Sequence, residues 1–72
     1  MEYANTEELL RDILKNMRYH QPETVERAIN LYRMNRTEYE QDHVELYEML
    51  KNMFGPSQGA MAYKIFIKKK YQ

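Results

Sequence analysis

The chain has no cysteine among its 72 residues. It therefore forms no disulfide and offers no thiolate ligand to zinc, two devices that stabilise many small domains. A chain of this length buries only a modest core, so closely packed helices or association with another chain remain as sources of stability. The lack of cysteine also fits a reducing compartment, and we expect a cytoplasmic protein.

Glycine and proline are scarce, with two of each, which argues against a disordered, collagen-like or loop-rich chain. No apolar run approaches the roughly 18 residues that a membrane span needs. The first ten residues, MEYANTEELL, carry acids where a signal peptide needs a basic start. We therefore expect one helical domain over residues 1–72, with frayed ends at 1–4 and 71–72 and no membrane contact.

The formal net charge is zero, but the charges are unevenly distributed. Residues 37–50 contain five acids and no lysine or arginine, whereas residues 51–72 contain five lysines and no acid. Such segments either neutralise each other within one fold or leave one of them to attract a charged partner, including a second copy of the chain.

The first predicted helix has a clear start and a clear buried face. Asn5 and Glu8 have the spacing of a capping box, and Glu7 and Arg11 are placed for a favourable ion pair one turn apart. Apolar residues recur at helical spacing along one stripe: Leu9, Leu10, Ile13, Leu14 and Met17.

Two further helices follow. Pro22 suits the first turn of the second helix, whose predicted inward residues are Val25, Ala28, Ile29 and Tyr32. Thr37 and Glu40 predict another capping box, and the third helix is predicted from about Glu38 to Phe54, where Gly55-Pro56 stops it. Its predicted inward stripe is Tyr39, His43, Leu46, Tyr47, Leu50, Met53 and Phe54.

The segment from Ser57 onward fits two structures. As a helix it would be capped by Ser57, with Ala60, Tyr63, Phe66, Ile67 and Tyr71 facing inward. As a strand it alternates well, and its β-branched and aromatic residues suit that state. Because no other segment predicts a strand to pair with it, we favour an all-α bundle of three to four helices. Three helices plus a C-terminal strand paired between chains is the alternative.

Catalytic chemistry finds little support in the sequence. The spacing Glu40-x-x-His43 is that of a di-iron helical bundle, but such bundles need two copies of the motif and further inward glutamates. His43 also falls within an apolar stripe, where a core or interface histidine is commoner. We therefore predict no catalytic residue, no metal, no cofactor and no enzymatic activity.

Protein–protein interaction is the function that we predict, in a small regulatory or adaptor protein of the inhibitor, antirepressor or assembly-factor type. Met34, Met49, Met61 and Ile65 lie off the main apolar stripes, and methionine is enriched at adaptable interfaces. The predicted partner-binding acidic face comprises Glu38, Asp42, Glu45, Glu48 and Met49. The residues predicted to form a homodimer are His43, Tyr47, Leu50, Phe54 and Ile65.

Nucleic-acid binding is the alternative function. The C-terminal segment interleaves lysines with aromatics, as phosphate contact combined with base stacking requires. The residues in question are Lys64, Lys68, Lys69, Lys70, Tyr63 and Tyr71. Against this, the sequence pI of about 6.7 is near neutral.

One short stretch carries a family resemblance. The sequence TVERAI at residues 24–29, together with the chain length and the rhythm of the helices, resembles the Hha/YmoA nucleoid-modulating proteins. The resemblance covers only these residues and the C-terminal half departs from that family's pattern, so no functional residue is carried over.

Overall fold

A computed structural model of the chain describes residues 5–17 and 21–71. This part of the chain is an all-α bundle without a strand, as predicted. The predicted fraying at 1–4 lies outside the described residues, as does the end of the 71–72 range. The helices are α1 (Thr6–Lys15), α2 (Pro22–Met34), α3 (Arg36–Gln41), α4 (His43–Phe54) and α5 (Pro56–Lys70).

The starts and the buried faces of the first two helices confirm the sequence predictions. The Asn5 side chain accepts a hydrogen bond from the backbone N–H of Glu8 at 2.8 Å, which caps α1. Pro22 occupies the first turn of α2, where its missing N–H costs no hydrogen bond. Both predicted apolar stripes are buried: Leu9, Leu10, Ile13, Leu14 and Met17 from α1 and its end, and Val25, Ala28, Ile29 and Tyr32 from α2.

The predicted third helix is two helices, separated at Asp42. This residue has extended backbone angles, φ −129° and ψ 97°, and its side chain accepts a hydrogen bond from the N–H of Val44 at 3.0 Å. Aspartate favours such caps over helix interiors because its carboxylate competes for nearby backbone donors. The predicted capping box at Thr37 is wrong, since Asn35 is the residue that precedes α3 and Thr37 lies within that helix.

The C-terminal segment is a helix, so the alternative with an interchain strand is wrong. Gly55 joins α4 to α5 with φ 90°, a left-handed conformation that favours glycine, and Pro56 starts α5. Ser57 therefore lies inside the first turn and does not cap the helix. The buried face of α5 consists of Gly59, Ala62 and Phe66. Tyr71, predicted to face inward, is 62% exposed.

Helices α4 and α5 make a close backbone contact at Gly59. A Cβ atom placed on this residue would lie 2.5 Å from the Cα of Lys51 and 2.6 Å from the carbonyl carbon of Leu50. The backbones of α4 and α5 thus approach each other to a distance that only glycine permits. This contact positions α5 along α4 and turns the opposite side of α5 toward α1 and solvent.

The core is one continuous apolar cluster drawn from all five helices. Its largest fully buried side chains include Tyr32 and Phe66. No helix within residues 5–17 and 21–71 has both the length and the apolar character needed to cross a bilayer.

Replacing Gly59 with alanine tests the α4–α5 contact. Alanine is the better helix former by about 1 kcal/mol, but its Cβ would press on backbone atoms that cannot rotate away. We expect Gly59→Ala to lower the free energy of unfolding by about 1–3 kcal/mol, as overpacking does. Urea unfolding followed by far-UV circular dichroism measures it. Ser57→Ala, at an exposed position in the same helix, serves as the control and should change stability little; a Gly59→Ala protein as stable as this control would contradict the contact.

Candidate functional site

An apolar groove runs between α1 and α5. It has a volume of about 810 Å³. Its α5 side carries Ser57, Met61, Ile65 and Lys69, spaced four residues apart so that they form one row along the helix. The lining from α1 and the residues after it is Asp12, Ile13, Asn16 and Met17.

The floor and the wall of this groove differ in exposure. Ile13 and Met17 lie at its base and are almost wholly buried. Met61 and Ile65 form the α5 wall and remain 58% and 36% exposed. Single exposed apolar residues are ordinary, but two adjacent ones beside a buried apolar floor form a continuous apolar surface.

Lysines lie beside this apolar wall. Lys64 and Lys68 are exposed on the same outward side of α5 as Met61, and Lys69 lines one end of the groove. The salt bridges formed within residues 5–17 and 21–71 include none of these three lysines. Their positive charge is therefore left for solvent or a ligand.

On the α1 side of the groove, Asp12 and Asn16 are hydrogen-bonded to each other. The Asn16 side-chain amide donates hydrogen bonds to the backbone carbonyl of Asp12 at 2.7 Å and to its carboxylate at 3.3 Å. The two edges of the groove therefore differ, with uncompensated cations on α5 and a bonded polar pair on α1.

The arginines, by contrast, hold the helices together. Arg33 donates two hydrogen bonds to the Glu7 carboxylate, at 2.8 and 3.0 Å, which joins α2 to α1. Arg11 pairs with Glu26 at 3.2 Å, a second link between the same helices. The predicted pair between Glu7 and Arg11 is not formed, because each finds a partner on α2.

A second polar cluster surrounds Glu40. Its carboxylate accepts hydrogen bonds from the Arg36 guanidinium at 3.2 Å and from the Tyr32 hydroxyl at 3.3 Å. The hydrogen bond from Arg36 lowers the pKa of Glu40, and burial raises the pKa of Tyr32. Glu40 thus serves the packing of α2 on α3.

Within the described ranges no three or more histidine, aspartate or glutamate side chains are grouped to hold a metal ion.

The predicted acidic face is only partly assembled. Burial, and after it the charges of Glu45 and Glu38, raise the pKa of Tyr39, so these two exposed carboxylates lie near the same ring. Asp42 is the cap of α4, and Glu48 pairs with Lys51 at 3.3 Å. Met49, 7% exposed, belongs to the core and not to a surface.

The predicted self-association residues mostly serve the α4–α5 interface. Leu50 is completely buried within the chain, which removes it from any dimer surface. The Tyr47 ring packs on that of Tyr63, with centroids 4.8 Å apart. Phe54 packs against the core. Ile65 is the member of this set that lines the groove.

His43 is occupied at the end of the same interface. Its Nε2 lies 3.1 Å from the Tyr71 hydroxyl oxygen, at hydrogen-bond distance. The two rings are tilted, with centroids 5.6 Å apart. This contact ties the end of α5 to the start of α4.

The residues proposed for nucleic acid are divided between two sides of α5. Lys64, Lys68 and Lys69 are exposed, whereas the Lys70 ammonium lies 5.6 Å from the ring centres of both Phe66 and Tyr71. Lys70 also contributes to lowering the pKa of Glu40, so it faces the α3 side of the bundle. Tyr63 is committed to Tyr47, which leaves Tyr71 as the exposed aromatic of the set.

Met61 and Ile65 stand out in the sequence as apolar residues off the main stripes, but their spacing does not predict the groove. Ile13 and Met17 were predicted as core, and nothing in their spacing indicates that α5 leaves a gap beside them.

Comparison of this chain with protein-family models, with curated proteins and with solved structures finds no match.

Acidification tests the link between α1 and α2. The hydrogen bond from Arg33 lowers the pKa of Glu7 below its ordinary value of 4.5. A lowered pKa means that ionised Glu7 stabilises the fold above pH 4.5 and that this contribution is lost as the pH falls through the lowered pKa. We expect Glu7→Gln to flatten the loss of unfolding free energy between neutral and acidic pH.

Urea unfolding at a series of pH values gives the measurement. The control is Glu23→Gln, which alters an exposed glutamate in the first turn of α2 that takes part in none of the salt bridges above. It should leave the pH profile close to that of the parent protein. Parallel profiles for Glu7→Gln and the parent would show that the Glu7–Arg33 bond does not contribute.

Proposed function

We propose that this chain is a non-enzymatic protein-interaction module, a regulator or adaptor that works by holding a segment of another protein in the α1–α5 groove. The observation that carries the proposal is the pair of exposed apolar side chains on the groove wall, Met61 and Ile65. Small regulators of the inhibitor, antirepressor and assembly-factor type act in this way, by occupying the surface of a second protein.

The energetics favour covering this wall. Fully burying a methionine or isoleucine side chain is worth about 1.5–3 kcal/mol, and neither residue gains that in the isolated chain. Methionine also adjusts its shape to a partner because its side chain is unbranched and polarizable. Two such residues one turn apart form the centre of a contact, while the buried Ile13 and Met17 supply a packed base.

The proposed partner surface is the α1–α5 groove and not the predicted acidic face. Of the predicted acidic residues, Asp42 and Glu48 have bonding partners within the chain and Met49 is buried. Glu38 and Glu45 remain exposed, next to Val44, which is 63% exposed. They are a secondary contact region at most. The cytoplasmic location and the homodimer stay predictions.

Site-specific photo-crosslinking tests the proposal. A benzophenone amino acid at position 61 should capture a discrete protein from an extract of the source cells, whereas the same group at position 34 should not. Met34 is a matched control because it is 79% exposed and lies on α2, outside the groove lining.

The captured protein is then purified and its affinity is measured by calorimetry. Ile65→Gln should weaken binding by about tenfold or more, the factor expected from losing one buried aliphatic side chain. Met34→Gln should bind like the parent. Equal affinity for the parent and Ile65→Gln would remove the groove as the binding surface.

Nucleic-acid binding is a second candidate, favoured by one observation. Lys64, Lys68 and Lys69 are exposed on consecutive turns of α5 and take part in none of the salt bridges above. Such a row can follow a phosphate backbone. The aromatic contribution is weaker than the sequence suggested, since Phe66 is buried and Tyr63 packs on Tyr47.

This candidate predicts a defined salt dependence. Three phosphate contacts on single-stranded DNA give a slope of about −2 for the logarithm of affinity against the logarithm of salt concentration. Changing the three lysines together to glutamine should abolish that binding in fluorescence anisotropy. The control changes Lys15 and Arg27, two exposed cations on other helices, to glutamine. Binding that survives the triple change would exclude this row of lysines.

A further inference from the structure

We infer that the α1–α5 groove takes an acidic amphipathic helix from another protein. The inference rests on the proposed function and adds the shape and the charge of the partner segment. It follows from the length of the groove, the recessed position of its apolar floor and the sign of the uncompensated charge along its edge.

The length of the groove suits a short helix. Its α5 row runs from Ser57 to Lys69, and at 1.5 Å per residue these twelve steps span about 18 Å. A partner helix of about three turns has the same length and presents three or four apolar side chains at i, i+3 or i+4, and i+7. Laid between α1 and α5, it would cover Met61 and Ile65 and touch the floor at Ile13.

The shape of the site also selects among partners. Ile13 and Met17 are 5% and 8% exposed at the base, while Met61 is 58% exposed on the wall. A flat bilayer surface meets the wall but does not reach the base of a groove. A nucleic-acid backbone would use the lysines and leave the apolar wall in water. A helix with one apolar stripe covers both the wall and the base.

The charge of the partner follows from the lysines along the α5 edge of the groove, which form none of the salt bridges described above. Lys64 and Lys68 are one turn apart on the outward side of α5, and Lys69 lies at the end of the groove. Asp12, on the opposite edge, already accepts hydrogen bonds from Asn16. Carboxylates one turn apart on the flank of a docked helix would face Lys64 and Lys68 across the edge, which sets the sign of the partner's charge on that flank.

A second copy of this chain fits the groove poorly. Two copies related by a twofold axis through α5 would bring their lysines together, and like charges in contact are unfavourable. The apolar stripes of α1, α2 and α4 are already buried in the core, so outside α5 the described helices leave no unpartnered amphipathic stripe that another copy could dock. The occupant is therefore a segment of a different protein.

Selection from an unbiased library tests the inference. The full chain, immobilised through its N-terminus, selects from a phage-displayed library of helical peptides randomised at every surface position. We expect enriched sequences with apolar residues at helical spacing and an excess of glutamate and aspartate on one flank. Selection against the triple variant Lys64→Gln, Lys68→Gln, Lys69→Gln should lose the acidic bias.

One enriched peptide is then synthesised, labelled and titrated by fluorescence anisotropy. The change Met61→Gln with Ile65→Gln should abolish measurable binding, and the triple lysine variant should weaken it roughly tenfold, as three exposed ion pairs predict. Two controls, Met34→Gln and the double change Lys15→Gln with Arg27→Gln, should bind like the parent. Circular dichroism of each variant confirms that it is folded.

The outcomes separate the two proposals. Enriched peptides that depend on Ile65 but are neutral or basic would overturn the acidic partner and leave the groove as a binding site. Peptides that bind equally to the Met61 and Ile65 variant, or a library that yields no groove-dependent peptide, would overturn both. If the parent chain self-associates in sedimentation experiments and Ile65→Gln abolishes this self-association, the groove binds a second copy of the chain. The parent chain is also tested against anionic vesicles and single-stranded DNA. If it binds them, and if the triple lysine variant loses this binding while Met61→Gln with Ile65→Gln keeps it, the lysines bind a polyanion instead.

Discussion

The contact between the backbones of α4 and α5 at Gly59 is the constraint on which the rest of the bundle depends. Because no side chain separates the helices there, their aromatic residues meet along the remaining length, with Tyr47 on Tyr63 and His43 against Tyr71. The side of α5 that faces α4 is therefore occupied by these contacts. The side that carries Met61, Lys64 and Ile65 is turned away from α4, so the exposed residues of α5 include both apolar and basic side chains.

Positive charge has two separate roles in this molecule. Arg11 and Arg33 make salt bridges between helices and Arg36 makes one within α3, and the planar guanidinium of Arg33 gives Glu7 two parallel hydrogen bonds. Lys64, Lys68 and Lys69 form no salt bridge in the described part of the chain. The three arginines make salt bridges within the fold and these three lysines make none, so the neutral total charge conceals an excess of positive charge on one side of α5.

The sequence predicts the parts of this fold that depend on local periodicity. The stripes of α1 and α2 are found as expected because each helix buries one face against one core. The break at Asp42 was missed because the apolar spacing continues from Tyr39 to Leu46 across it, and only the side-chain cap reveals the interruption. The ion pair of Glu7 was assigned to Arg11, one turn away, because its true partner Arg33 comes near only after α2 has folded back.

The candidate site illustrates the same limit. Met61 and Ile65 could be identified in advance as apolar residues outside the stripes, but their use depends on how far α5 lies from α1. That separation depends on the packing of Gly59 against α4, a tertiary property that spacing along one helix does not encode. The residues of the predicted acidic face differ in their surroundings for a related reason, since Asp42 caps α4, Glu48 pairs with Lys51 and Met49 is buried.

The single-residue connection at Gly55 has a consequence for how this sequence can diverge. One residue inserted or deleted between Gly55 and Gly59 would rotate the rest of α5 by about 100° and shift it by about 1.5 Å. Gly59 would leave the contact, and a side chain would arrive against the backbone of α4. A change in chain length is therefore poorly tolerated in the stretch that starts α5, where the spacing of Gly55 and Gly59 keeps the second glycine against α4.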